Sequence, residues 1–292
     1  MVRVLTPFEY FEPKTVEEAS NLLRDYGEKV RVLAGGVDLL ARIRRREIQV
    51  EGLVCIQRIP GLDYVRQDSE GLKIGALTTL RTLERSQEVR ENYRLLFDAI
   101  HSIHSIQVKN MGTAVGNLCI ATPASDVAVS LLALDAQMKI AGPSSERSMP
   151  LENFYLGVKR TALQPGELVT GILVPPLPKG SFGAFMKLVR TATDIAKVNV
   201  AVRATLRNGG CEEVRIALGS VAPTIVRARK AEEALRGTRL EREAVVEAAE
   251  RAAEEVNPIT DIRSTAEYRR EMVKVLTRRA VEKIKVEAGV KG

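Results

Sequence analysis

The sequence predicts an α+β protein, because strand and helix signals alternate early in the chain and separate into blocks near its end. Up to residue 174, short apolar runs of strand type alternate with segments of helical periodicity. After the adjacent prolines Pro175 and Pro176, three long strand-like runs are followed by charged helical segments. Because a double proline ends a strand, we predict a domain boundary here, between residues 1–176 and 177–292.

The N-terminal elements follow a strand, helix, strand order. Residues 8–13 have an extended pattern, and Thr15 with Glu18 matches the capping box that begins a helix. Residues 30–34 then predict a strand, and residues 38–45 a short helix. Further strands are predicted at 52–56 and 71–76, with a helix beginning at Thr79.

The middle of the chain contains a predicted long helix over residues 91–106, whose apolar residues recur on one face. It leads into the segment 107–135, which is rich in small residues and ends in a buried helix at 127–134. Strands are predicted at 137–141 and 171–174.

The C-terminal part predicts a three-stranded antiparallel sheet followed by helices. The strands lie at 182–189, 198–207 and 214–221, and residues 208–210 form a hairpin-type turn. Helices are predicted at 226–236 and 241–255, and a last helix has cap signals at Ser264 and Glu267.

Composition indicates a soluble globular protein that we expect in the cytoplasm. Of the 292 residues 45% are hydrophobic, yet the longest apolar run is too short to span a membrane, and the N-terminus lacks an apolar signal core. The three cysteines Cys55, Cys119 and Cys211 have no CxxC spacing. This argues against a disulfide framework, a zinc site or an iron-sulfur cluster within this chain.

The net charge of +7 does not indicate nucleic-acid binding. The basic residues are dispersed, and the densest run, RIRRR at 42–46, lacks the interleaved aromatic residues on which nucleobases stack. This run is interpreted either as a solvated helix face or as an interface with another subunit.

Two glycine segments carry the main functional signal. The first, VLAGGVDLL at 32–40, follows a strand, and the second, at 107–135, contains Gly112 and Gly116 with Thr113 and Asn117. Glycine lets a backbone approach a ligand closely, and helix-entry loops bind phosphate oxygens. Neither segment matches the GxxxxGK[ST] or GxGxxG fingerprints. We therefore expect two anion-binding loops of another type, which hold one dinucleotide between them.

The chain resembles a known family, the FAD-binding medium subunits of the molybdenum hydroxylases, over nearly its whole length. This family includes carbon monoxide dehydrogenase and the bacterial xanthine dehydrogenases. The resemblance implies a two-subdomain FAD-binding fold of the p-cresol methylhydroxylase type, with subdomains at about 1–56 and 57–176, and a C-terminal flavoprotein domain at 177–292. The matching segments, in order, are FEYFEPKTVEEA, LAGGVDLL, QVKNMGTAVGNLCIATPASDVAVSLLALDA, RSMPLENFYLG, GELVTGILVPP and RTATDIAKVNVA.

The resemblance also implies the residues that contact non-covalent FAD. The first segment would hold the pyrophosphate through backbone N–H groups, the second would approach phosphate and ribityl oxygens, and Asp126 would bind a cofactor hydroxyl. Leu168 and Val169 would contact the rings, and Lys187, with Arg190 nearby, would approach the flavin. The implied cofactor-binding residues are Ala34, Gly35, Gly36, Val37, Asp38, Leu39, Thr113, Gly116, Asn117, Ile120, Asp126, Leu168, Val169 and Lys187.

Three residues depart from the family pattern. Val115 stands where the first glycine of a Gly-Gly pair is usual, Ile120 where a polar residue is common, and Thr191 after Arg190 where two arginines are common. These departures could weaken FAD binding or change its pose. Without the resemblance, Asp126 would be read as a helix N-cap and Cys119 as a small packing residue.

No catalytic residue and no metal site is predicted. His101 and His104 have helical i, i+3 spacing, but no acidic or sulfur partner is predicted to accompany them in a metal site. The resemblance implies an electron-transfer subunit that takes electrons from iron-sulfur clusters of a small subunit and passes them through FAD to an external acceptor. The molybdenum-pterin would lie in a large subunit, within a heterotrimer or a dimer of heterotrimers. The alternatives are a self-sufficient FAD oxidoreductase of the same superfamily and a scaffold subunit that has lost FAD.

Overall fold

The structure, a computed structural model, describes residues 7–290. The first six residues of the predicted FAD-binding domain and the last two of the C-terminal domain therefore lie outside the described residues. The N-terminal part contains a small parallel sheet with a helix after each of its first two strands. Its elements are β1 (Glu9–Phe11), α1 (Val16–Tyr26), β2 (Val30–Leu33), α2 (Leu39–Arg44) and β3 (Gly52–Cys55), with strand order β1-β3-β2.

Helix α1 begins as the sequence predicts. The Thr15 hydroxyl accepts a hydrogen bond from the Glu18 N–H at 3.0 Å. The Glu18 carboxylate, however, accepts from the Lys14 N–H at 2.6 Å instead of the Thr15 N–H. The reciprocal bond of the capping box therefore lies one residue earlier in the chain.

A five-stranded antiparallel sheet and six short helices form the next part. The strands are β4 (Val65–Asp68), β5 (Gly71–Gly75), β6 (Gln137–Ala141), β7 (Glu146–Pro150) and β10 (Leu168–Val174), in the order β4-β5-β10-β6-β7, and a separate hairpin contains β8 (Tyr155–Gly157) and β9 (Arg160–Thr161). The helices are α3 (Leu80–Arg85), α4 (Gln87–Asn92), α5 (Arg94–His101), α6 (Ile106–Met111), α7 (Ala114–Cys119) and α8 (Asp126–Ala133).

The single helix predicted at 91–106 is wrong, because the chain leaves the helical conformation at Tyr93. This residue has φ −130° and ψ 52°, and its ring is fully buried in the main core. Helix α5 then ends at His101, and Ser105 begins α6 by accepting from the Val108 N–H. Burial of the aromatic ring thus outweighs the helical periodicity of the flanking residues.

The glycine-rich loop predicted from residue 107 is largely helical. Gly112 ends α6, Thr113 caps α7, and Gly116 lies inside α7. The N-cap of α8 is Ser125, whose hydroxyl accepts from the Ala128 N–H at 2.9 Å, and not Asp126. Small residues therefore serve here as helix caps and close-packing positions as well as loop residues.

The C-terminal part contains the three predicted long strands and one short addition. Residues 226–227 pair with residues 217–218 of the third long strand, so the helix predicted from residue 226 begins three residues later, at Arg229. The elements are β11 (Ser181–Leu188), β12 (Val198–Arg207), β13 (Gly210–Gly219), β14 (Val226–Arg227), α9 (Arg229–Leu235), α10 (Arg242–Glu254) and α11 (Ala266–Glu287), with the strands antiparallel in chain order.

Strand β12 is buried on both faces. Val198, Val200 and Val202 pack into a core with α10 and α11, whereas Ala201 belongs to the core around α8. The C-terminal sheet therefore lies between two sets of helices, which fixes it against the first part of the chain. No helix among residues 7–290 is long and apolar enough to cross a membrane. The domain boundary after Pro176 stays a prediction.

Candidate cofactor site

A cavity of about 400 Å³ lies where the two glycine segments meet. Residues from the β2–α2 connection form one side, residues of α6 and α7 form another, and the start of β10 completes the wall. The structure thus brings together most of the cofactor-binding residues that are predicted from the sequence. The predicted residues that line the cavity are Ala34, Gly35, Gly36, Val37, Asp38, Leu39, Thr113, Gly116, Asn117, Ile120, Leu168 and Val169.

Gly35 and Gly36 are both required by the backbone geometry of the first segment. A Cβ atom at Gly35 would lie 1.8 Å from the carbonyl oxygen of Met111, so only glycine allows the segment to contact the end of α6. Gly36 has φ +70°, in the left-handed region that glycine adopts without strain. The two glycines therefore build the contact between the segments that creates the cavity.

The backbone of the first segment offers a row of free donors. The N–H groups of residues 35–39 donate to no acceptor within the part of the chain that the structure describes. Consecutive N–H groups at such a turn form a binding site for phosphate oxygens, and they need no positive side chain. The segment therefore fits a diphosphate.

The second segment supplies a side-chain donor. Asn117 lines the cavity, and its Oδ1 atom accepts from the Ser125 hydroxyl. This fixes the amide so that its NH₂ group is the free end, with no acceptor among residues 7–290. The Thr113 hydroxyl accepts from the Gly116 N–H at 2.9 Å and caps α7. The short side chains of this segment thus leave room for a ligand beside Asn117.

Apolar side chains cover another part of the wall. Leu168 and Val169 are buried at the start of β10, and Ile120 follows α7. Val115, the departure from the family glycine pair, lines the cavity but is 95% buried and belongs to the main core. These side chains can contact an aromatic ring system of a dinucleotide.

Two family models together match nearly the whole chain. Residues 6–177 match the FAD binding domain in molybdopterin dehydrogenase, and residues 183–284 match the CO dehydrogenase flavoprotein C-terminal domain. The chain belongs to the FAD-binding medium subunits of the molybdenum hydroxylases. FAD is the cofactor of this family, and the chain is a flavoprotein subunit of an oxidoreductase.

Relatives of this flavoprotein subunit match it over almost their full length. The chain is 35% identical to the carbon monoxide dehydrogenase medium chain of Hydrogenophaga pseudoflava, over 94% of this chain and 96% of the relative. It is 34% identical to the glyceraldehyde dehydrogenase medium chain of Sulfolobus acidocaldarius, over 95% and 98%. A solved structure of the Hydrogenophaga carbon monoxide dehydrogenase superposes with a TM-score of 0.93 at 36% identity, covering 96% of this chain and 98% of that one. The predicted fold class is thereby confirmed.

Asp126 and Lys187 of the flavoprotein subunit are not among the residues that line the cavity. They pair with each other, with Lys187 Nζ 2.6 Å from Asp126 Oδ2, and Asn199 donates to the other carboxylate oxygen at 2.7 Å. Burial raises the pKa of the Asp126 carboxyl, against the opposing effect of Lys187. The pair lies beside the site, because Ser125 connects the start of α8 to Asn117. Contact of these two residues with FAD stays a prediction.

Three basic residues of the cavity wall, Arg31, Arg42 and Lys159, are not among the site residues that the sequence predicts. Arg42 is four residues after Asp38, so helical spacing places both on one face of α2. The sequence contains this spacing, but the run 42–46 that includes Arg42 predicts either a solvated helix face or an interface with another subunit. Lys159 lies in the tight turn between β8 and β9, far along the chain from both glycine segments, and had no sequence signal.

The remaining candidate groups show no sign of reactivity. Cys119 lines the cavity, but burial raises the pKa of its thiol to about 12. His101 Nδ1 lies 2.9 Å from Glu84 Oε1, whereas His104 lies beyond the end of α5 and contacts the Ser102 carbonyl. Among residues 7–290 no group of three or more metal-ligating side chains occurs.

Proposed function

We propose that this flavoprotein subunit binds FAD non-covalently in the 400 Å³ cavity and passes electrons through it to an external acceptor. One observation carries the proposal. Two glycine segments about 75 residues apart meet at one cavity, and one of them presents the free N–H groups of residues 35–39. When bound, FAD supplies the redox chemistry, while the protein supplies binding and orientation.

The proposed contacts follow the geometry of the wall. The N–H groups of residues 35–39 would hold the pyrophosphate, and the Asn117 amide would bind a hydroxyl or phosphate oxygen. Leu168, Val169 and Ile120 would pack against a ring and exclude water from it. Asp126 and Lys187, paired beside the cavity, would fix the start of α8 next to Asn117.

The proposed partners are a large molybdenum-pterin subunit and a small iron-sulfur subunit, in a heterotrimer or a dimer of heterotrimers. Support comes from the relatives, which are named as medium chains of carbon monoxide and glyceraldehyde dehydrogenases. Electrons would enter from the clusters of the small subunit. We also propose a cytoplasmic location, and a division of this chain into residues 1–176 and 177–292.

A visible spectrum of the purified full chain, followed by FAD titration, tests the proposal. Bound flavin or saturable FAD uptake is expected, and acid precipitation should release the flavin into the supernatant. No flavin and no uptake would instead identify a scaffold subunit that has lost FAD.

Purification from the native host tests the partners. We expect a pterin-containing subunit and an iron-sulfur subunit to accompany this chain. Substrate oxidation by the isolated FAD-loaded chain, with no accompanying subunit, would favour the self-sufficient oxidoreductase.

A further inference from the structure

Arg42 has one buried guanidinium nitrogen that lacks a hydrogen-bond acceptor. Its side chain is only 21% exposed, and its Nε atom is buried without a hydrogen-bond partner among residues 7–290. The two nearest carboxylates, those of Asp38 and Glu47, lie 3.7 Å and 3.9 Å away, beyond hydrogen-bond distance. A buried donor without an acceptor costs free energy, so a group absent from the protein itself is the natural acceptor.

The position of Arg42 shows where that acceptor would lie. Arg42 lines the cavity together with Asp38 and Leu39, which are one helical turn earlier on the same face of α2. The free N–H groups of residues 35–39 border the same cavity. Backbone donors and a planar guanidinium fork are together suited to phosphate oxygens.

Two other charged groups of the wall have partners within the protein, and Lys159 lies farther along the chain, in the turn between β8 and β9. Arg31 donates to the Val30 carbonyl at 2.9 Å, and Glu167 is held by Arg147 at 2.7 Å. The Asp38 carboxylate would repel a phosphate, but the Arg42 guanidinium lies beside it and offsets its charge. Arg42 thus makes this wall compatible with an anion.

We propose that the Arg42 guanidinium hydrogen-bonds a phosphate group of the dinucleotide, as an addition to the backbone donors of residues 35–39. This inference rests on the proposed function, because it requires FAD to occupy the cavity. It distinguishes Arg42 from the rest of the basic run, since Arg44 is exposed and does not line the cavity.

Binding of three probes to the full-length chain tests the inference. FAD and ADP carry the phosphates, whereas riboflavin carries the flavin ring and ribityl chain alone. In the Arg42→Met variant, FAD and ADP affinity should fall about tenfold or more, with riboflavin affinity unchanged, because one charge-assisted hydrogen bond is lost. Flavin fluorescence quenching measures FAD and riboflavin binding, and competition with FAD measures ADP binding.

Arg44→Met is the matched control, because it removes the same charge from the same helix outside the cavity. It should bind all three probes as the wild type does. Thermal unfolding without FAD shows whether a loss of affinity comes from misfolding. Arg42→Met should unfold at the wild-type temperature or above it, because it removes a buried donor that has no acceptor.

The remaining outcomes of these binding experiments distinguish a failure of the inference about Arg42 from a failure of the proposed function. Equal FAD affinity in wild type and Arg42→Met, or equal losses for FAD and riboflavin, would overturn the inference and leave the proposed function standing. Absence of FAD binding by the wild type would overturn the proposed function and the inference with it.

Discussion

Lys187 Nζ lies 2.6 Å from Asp126 Oδ2, and this buried ion pair joins the C-terminal sheet to the first turn of α8. Asp135, just beyond the other end of α8, is surrounded by the guanidinium groups of Arg203, Arg215 and Arg227. The sheet therefore holds α8 at both ends by charge. Since Asn117 is connected to the start of this helix through Ser125, the C-terminal part helps to position the cofactor cavity.

The two partners of the Asp126–Lys187 pair should not contribute independently to the free energy of unfolding. Asp126→Asn leaves a buried lysine charge without a counter-charge, and Lys187→Met leaves a buried carboxylate. Each single variant should lower the free energy of unfolding by about 3 kcal/mol, and the double variant by clearly less than the sum. Urea unfolding of the four proteins measures this coupling. Strict additivity would show that the two side chains do not interact in solution.

Glu84 should make the free energy of unfolding depend on pH in the acid range. Burial alone would raise the pKa of its carboxyl, but hydrogen bonds from Lys109 and Arg81 outweigh this effect and lower the pKa to about 2. A lowered pKa stabilises the fold above about pH 4.5, and this contribution, on the order of 3 kcal/mol, is lost as pH falls towards 2.

The comparison of wild type with Glu84→Gln isolates this contribution. The variant should be less stable at pH 6, and the difference in free energy of unfolding should narrow between pH 5 and pH 3. A difference that stays constant over this range would contradict the assignment.

The glycines of the first segment should respond unequally to alanine. Gly35→Ala forces the Met111 carbonyl away and should cost about 3 kcal/mol or more, together with FAD affinity. Gly36→Ala should cost about 1 kcal/mol for its positive φ, plus a small adjustment of the Leu40 side chain. Gly61→Ala is the control, because φ is +78° there and a Cβ would meet no described atom within 4 Å. Denaturant unfolding and FAD titration of the three variants measure the losses of stability and of FAD affinity. Equal losses of stability in all three would contradict the close contact between Gly35 and the Met111 carbonyl.

Cys119 should stay unmodified although it lines the cavity. With the pKa of its thiol at about 12, almost no thiolate exists at pH 8, and the thiolate is the reactive form. An aromatic disulfide reagent should therefore label it only after unfolding. Acid precipitation should free the flavin from both the wild type and Cys119→Ser. Flavin attached to the peptide that contains Cys119 would contradict this expectation.

Much of the fold was predictable because its signals are local. The limits of β12, the cap of α1 and the three long C-terminal strands follow from alternation, capping residues and turn residues close together in sequence. The helix break at Tyr93 was not predictable, since it depends on where a buried ring finds space in the tertiary core.

The cofactor site likewise contains features that the local sequence predicts and features that depend on contacts between distant parts of the chain. The residues of both glycine segments were identified from composition and family resemblance. The contact of Gly35 with the Met111 carbonyl joins residues 76 apart in sequence, so no local pattern encodes it. Arg42 was overlooked because its neighbours in sequence are exposed arginines, and only the direction in which α2 faces sets it apart.

The burial of β12 on both faces limits how members of this family can exchange parts. A chimera that joined residues up to Pro176 with the C-terminal part of a relative would place a foreign strand against α8. Its side chains at positions 199, 201 and 203 would then have to suit Asp126, the apolar surface of α8 and Asp135 of this chain. The interface between α8 and the C-terminal sheet therefore has to be kept intact. A chimera that folds and functions must take both sides of this interface from the same protein.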